Sequence, residues 1–139
     1  MLDLEAAISA LYARLATDSE GATARGYIPA VVTAAALEGY VDALSLPSLP
    51  LAAFRAGAVT GNDRDGYRIP FAWWLYDTAS KGFIRINRAV GPLIAAYPSE
   101  DALTGGLYVT FTGVSPERPD ASLFSMPARA VSFVAYTRQ

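Results

Sequence analysis

Residues 65–97 combine a long alternating segment with a helical periodicity that follows it almost at once. Tyr67, Ile69, Phe71, Trp73 and Leu75 fall on one side of an extended chain, and Arg68, Pro70, Ala72, Trp74 and Tyr76 on the other, because successive strand side chains point to opposite faces. Ser80 predicts an N-cap, and Phe83, Ile86, Val90, Leu93, Ile94 and Tyr97 recur at the spacings of three and four that build one apolar helix stripe. So short a junction requires the helix to lie back across the same sheet. Phe71, Trp73 and Leu75 are therefore expected beneath Phe83, Ile86, Val90 and Leu93, with a second helix beside the first.

Earlier in the chain, Leu4, Ile8, Leu11 and Leu15 predict a helix from about Asp3 to Thr17, with Asp3 as its cap and Glu5 near the positive end of its dipole. Between Tyr27 and Leu46 the signals conflict. Ala34, Leu37, Val41 and Leu44 keep helical spacing, whereas Val31, Val32 and Thr33 are β-branched, Pro29 precedes them and Gly39 interrupts. The reading adopted is a short helix from about Thr33 to Leu44. Leu46-Pro47-Ser48-Leu49-Pro50 is a stiff extended lead into a first strand, Leu51 to Val59, and the turn residues Gly61 to Gly66 predict a hairpin with the long strand.

Beyond Tyr97-Pro98-Ser99 and Gly105-Gly106, Leu107 to Thr112 alternates as a third strand. A proline-rich linker, Gly113 to Pro127, separates it from a fourth, Ala128 to Arg138, expected to pair with the third. The predicted fold is one α+β domain over residues 1–139, order α-(α)-β-β-α-β-β, with a single mainly antiparallel four-stranded sheet and helices packed on one face.

Composition narrows the chemistry. The 139 residues contain no histidine and no cysteine, which removes the usual general base, the commonest metal ligand and any disulfide. A net charge of −2 lacks the basic footprint of a nucleic-acid binder. Apolar residues make up 53% and charged residues 17%, so part of the apolar surface is expected to be buried by copies or partners. No run reaches the roughly 18 apolar residues of a membrane span, and the acidic start Met1-Leu2-Asp3-Leu4-Glu5 has the wrong charge for a signal peptide. Assembly in a cytoplasm is the expectation.

Few residues suggest a site. Asp63-Arg64-Asp65-Gly66 begins like a calcium loop, but Ala72 stands seven residues after Asp65 with no glutamate nearby, so the loop fails. No phosphate-binding glycine loop, nucleophile elbow or carboxylate pair occurs, and no catalytic, cofactor or metal residue is assigned. Trp74 and Tyr76 are candidate interface aromatics, with cover from within the same chain as the alternative. Lys81, Arg85 and Arg88 share one helix face and are either a docking stripe for a neighbouring ring or a solvated surface.

The amphipathic start, Leu-Pro-x-Leu-Pro at 46–50, the Phe71-to-Asp77 strand feeding a Lys81-to-Tyr97 helix, and the closing Met126-to-Arg138 strand resemble tail terminator proteins of long-tailed bacteriophages and related phage-derived particles. The resemblance covers most of the chain by order and spacing. It implies a non-enzymatic virion subunit that forms a homo-hexameric ring on the tail tube, stops its polymerisation and offers a surface for head joining. Its partners would be the tail tube protein and a head-neck connector protein, with DNA only passing non-specifically through the lumen and no membrane involved. It would be assembled in the bacterial host cytoplasm and reside at the neck end of the tail. Other expectations are another neck connector or tail-completion protein, or a small α+β module that binds a ligand or peptide on the aromatic face of the long strand.

Overall fold

The computed structural model describes residues 3–79, 81–99 and 106–137, without the side chains of residues 43, 82 and 83. The expected Ser80 cap, the Phe83 side chain, Gly105 and Arg138 lie outside the described residues. The chain is α+β, and among the described residues it has four α-helices and a mixed seven-stranded sheet.

Helix α1 (Leu4–Ala16) begins where Asp3 accepts a hydrogen bond from the Ala6 amide at 3.1 Å; of the expected stripe it buries Leu11 and Leu15, with Ala7 in addition, while Ile8 is half-buried and Leu4 exposed. A 3-10 turn and α2 (Ala22–Tyr27) follow. Gly21 sits so close to the end of α1 that a Cβ there would lie 2.5 Å from the Arg14 carbonyl oxygen. Arg25 then donates to the carbonyls of Leu15 and Asp18, both at 2.8 Å, closing the C-terminal end of α1.

The conflicted segment resolves differently from expectation. Ala30–Thr33 is strand β1, paired parallel to β2 (Leu51–Ala56), and only Ala34–Leu37 is helical, as α3. Thr33 caps α3 by accepting from the Ala36 amide, the helix breaks before Gly39, and the β-branched Val31 and Val32 take the extended form. The expected helix to Leu44 is thus replaced by a strand, one helical turn and, at Ala43–Ser45, a 3-10 turn. The next strand ends at Ala56 rather than Val59, and β3 (Thr60–Asn62) forms the tight hairpin with β4 (Gly66–Tyr76). Gly61 has φ +108°, and a Cβ there would stand 2.0 Å from the Gly66 carbonyl oxygen. Asn62 Oδ1 accepts from the amides of Arg64 and Asp65, so the abortive calcium-like segment is an ordinary turn.

Helix α4 (Gly82–Ala95) is followed by β5 (Leu107–Val114), β6 (Arg118–Asp120) and β7 (Met126–Thr137). The principal sheet order is β1-β2-β4-β7-β5, with β3 beside β4 and β6 beside β7. The four expected strands are its adjacent antiparallel members β2, β4, β7 and β5. The sheet is nevertheless neither four-stranded nor wholly antiparallel, because β1 adds a parallel edge and two three-residue strands attach to β4 and β7.

Helices α1, α2 and α4 cover one face. Leu11, Leu15, Ile86 and Leu93 pack there against Phe54, Phe71, Trp73, Leu75 and Phe133. Val90 and Ile94 border that core. At its centre the Trp73 indole donates to the Tyr97 hydroxyl at 2.9 Å, and that hydroxyl donates to the Leu11 carbonyl at 2.6 Å, joining β4, α4 and α1. Arg14 adds a second tie, donating from Nε to the Ala96 carbonyl at 2.7 Å.

The opposite face has a smaller core at one end only. Leu37 of α3, together with Leu123 and Met126, buries Leu51, Ala53, Tyr76 and Ala128. Placing all helices on one face was therefore incorrect for α3, which lies on this second side.

Candidate interaction surface

Strand register lays out the second face in rows. Leu51–Tyr76–Ala128 and Ala53–Trp74–Ala130 lie at the covered end. Beyond them come Arg55–Ala72–Ser132, then Pro70–Val134–Thr110, then Arg68–Tyr136–Tyr108. Arg68, Pro70 and Thr110 are exposed, and Ala72, Ser132, Val134 and Tyr136 are half-buried. Apart from Arg68, these side chains are small, cyclic, β-branched or aromatic, types suited to lying beneath another layer. A shallow depression of about 340 Å³ crosses these rows, with Arg55, Pro70, Ala72, Thr112 and Val134 among its walls. A second of about 270 Å³, lined by Arg68, Thr110 and Tyr136, continues it and shares Val134.

Arg55 stands at the boundary between covered and open halves. Its guanidinium lies 5.3 Å from the Trp74 ring centroid, donates to the Tyr76 hydroxyl at 3.1 Å and comes within 3.7 Å of Asp120 Oδ2. The Tyr76 hydroxyl in turn donates to Asp120 at 2.5 Å, and Ser122 donates to the same carboxylate from its amide and hydroxyl. Burial, reinforced by the Asp120 carboxylate, pushes the Tyr76 phenol up to about 12 against the opposing Arg55 charge. For Asp120, burial works upward, but the bonds from Ser122 and Tyr76 and the Arg55 charge outweigh it and hold the carboxyl below its usual range. Arg55 Nε is buried with no hydrogen-bond partner among the described residues. The cluster fixes Arg55, paired with Asp120, at the head of a slope whose other charged side chain is Arg68.

The five residues singled out from sequence do not form one surface. Trp74 is half-buried under Arg55, and Tyr76 is completely buried, so its assignment to an outward patch is corrected: Leu123 and Met126 belong to the core that covers it. Lys81 and Arg88 are exposed on the other side of the sheet, at and along α4. Arg85 belongs elsewhere again. It grips Asp77 with both Nε and Nη2, and Asp77 is fully buried, so Arg85 neutralises an interior carboxylate at the strand-to-helix junction. As a member of a free docking stripe it is withdrawn.

Arg55 and the open rows were missed in the sequence. The signal was present in the alternation Ala130, Ser132, Val134, Tyr136 on β7, which is too polar and too small for a core face. Among the described residues no group of acidic side chains is arranged to hold a metal ion, and no helix is long and apolar enough to cross a membrane. Comparison with protein-family models finds no match to the chain, and comparison with curated protein sequences finds none.

Proposed function

We propose that the protein is a structural subunit of a tailed particle, a tail terminator that closes as a hexameric ring on the end of the tail tube, stops its growth and presents a surface for head joining. The observation that carries the assembly part is the half-bare sheet face. One end of it is sealed by α3, Leu123 and Met126, while the rows from Arg55 to Tyr136 have no layer over them among the described residues. An antiparallel sheet can leave one face to water, but the half-buried Val134 and Tyr136 and the exposed Pro70 make this face one that a ring of like subunits would cover. The tail-terminator part rests on the sequence resemblance. Of the segments that carry it, Leu46 to Pro50 leads into β2, and the strand ending at Tyr76 turns through Asp77 into α4.

In this reading the chain has no catalytic role. Its partners are identical subunits, the tube protein and a head-neck connector, with DNA passing through the lumen without specific contacts. Deleting the gene from a particle-producing strain tests the proposal by electron microscopy. Overlong tubes unattached to heads are the expected result. Particles of normal length and normal head attachment, or purified particles without this chain, would refute it.

A further inference from the structure

The segment between α3 and β2 is built to hold two aliphatic side chains in water. Val41 is 83% exposed and Leu44 95%. Their backbone is not loose: Asp42 accepts from the Ser45 amide at 2.9 Å, and Ser45 Oγ accepts from the amides of Val41 and Asp42 while donating to the Asp42 carbonyl at 2.7 Å. On either side, Tyr40, Leu46 and Leu49 are packed into the second core. A reciprocal cap and flanking anchors thus fix a small turn whose tip is apolar, and nothing among the described residues covers that tip.

We propose that this turn docks into the open depression on the sheet of a second copy of the same chain, Leu44 entering beside Val134 and Pro70. Charge supports a copy as the occupant. From Gly26 to Phe54 the only charged residues are Glu38 and Asp42, both acidic and exposed, so the turn approaches with negative charge alone. In the three open rows the only charged side chains are Arg55 and Arg68. Small walls at Ala72 and Val134 leave room for an aliphatic tip, and Arg68, with Arg55 beside its Asp120 partner, flanks it with the opposite sign. Each chain carries one turn and one depression at different places on its surface, so the contact can run head-to-tail and builds a ring where its rotation closes. This is the contact through which the ring of the preceding section is made, and to that extent it rests on that reading.

Because the chain has no cysteine, thiol cross-linking has no native background. Single variants Leu44→Cys and Val134→Cys, each shown to retain the wild-type circular dichroism, are mixed at high concentration under mild oxidation. The pair is expected to form a covalent dimer about tenfold faster than a control pair of Leu44→Cys with Thr60→Cys, since docking raises the effective thiol concentration. Added salt should slow the reaction by screening the Glu38 and arginine charges. The double variant Leu44→Cys/Val134→Cys should yield a ladder ending in a closed ring. A rate no higher than the control overturns the contact. If native mass still shows a ring, the ring reading survives that failure. A doubly bridged dimer with no ladder would instead support the contact while refuting the ring.

Discussion

Removing a single oxygen at Tyr97 tests how the helical layer is fastened to the sheet. The Tyr97 hydroxyl accepts from Trp73 Nε1 at 2.9 Å and donates to the Leu11 carbonyl at 2.6 Å, with Trp73 fully buried and Tyr97 nearly so. Tyr97→Phe keeps the ring contacts with Phe71 and Phe133, whose centroids lie at 5.3 and 4.9 Å, so little packing is lost. What remains is an indole N–H sealed from water without an acceptor. An unsatisfied buried donor costs about 1–3 kcal/mol, and the lost bond to Leu11 places the expectation toward the upper part of that range. At a urea dependence of about 2 kcal/mol per molar, the midpoint should fall by roughly 1 M. The discriminating measurement is a double-mutant cycle with Trp73→Phe, which removes the stranded donor. In that background Tyr97→Phe should cost at least about 1 kcal/mol less, a coupling within the range for residues in direct contact. A loss below about 0.5 kcal/mol for the single change, or equal losses in both backgrounds, would show that apolar packing alone fastens the layers.

Arg85→Ala should destabilise by about 3–5 kcal/mol in urea unfolding because it strands the buried Asp77 carboxylate, and Asp77→Ala in the same chain should restore part of the loss; a change within about 0.5 kcal/mol would refute the clamp. Tyr76 has a folded pKa raised from 10 to about 12, so its contribution is fully present below pH 10 and is lost as pH rises through about 12; Tyr76→Phe should flatten the alkaline fall in urea midpoint over that window, and an unchanged slope would contradict it. Lys81→Glu with Arg88→Glu should leave stability within about 0.5 kcal/mol, since both are exposed, while yielding overlong tails or failed head joining if these cations face a neighbouring ring; normal tails would leave them a solvated helix face.

What the sequence made legible was periodicity, and therefore which side chains share a face. The alternation of β4 correctly placed Phe71, Trp73 and Leu75 beneath Ile86 and Leu93, and the spacing of Leu4, Ile8, Leu11 and Leu15 correctly located α1, though only Leu11 and Leu15 of the four are fully buried. Strand β1 was lost because its pairing, Ala30 with Leu51 through Thr33 with Phe54, is non-local, while the alanines at 34–36 pull a local reading toward helix. The three-residue strands Thr60–Asn62 and Arg118–Asp120 are too short to show a period at all.

The candidate site exposes a different limit, which concerns cover rather than face. Trp74 and Tyr76 were rightly placed opposite Trp73, yet alternation says nothing about what lies over that side. Cover arrives from two distant segments, around Leu37 and around Leu123 and Met126, and it stops short of Ala72 and Val134. Arg85 shows the same thing on a helix. Spacing groups it with Lys81 and Arg88, but a carboxylate eight residues earlier, on the far side of the strand-to-helix turn, takes it out of the surface. Candidate interface residues are therefore those that tertiary neighbours among the described residues leave uncovered. Val41, Leu44 and the rows from Arg55 to Arg68 satisfy that condition where Tyr76 and Arg85 do not. If a second copy provides the missing layer, their exposure in the single chain is the unburied half of an assembled core, and the apolar excess in the composition has its physical reason.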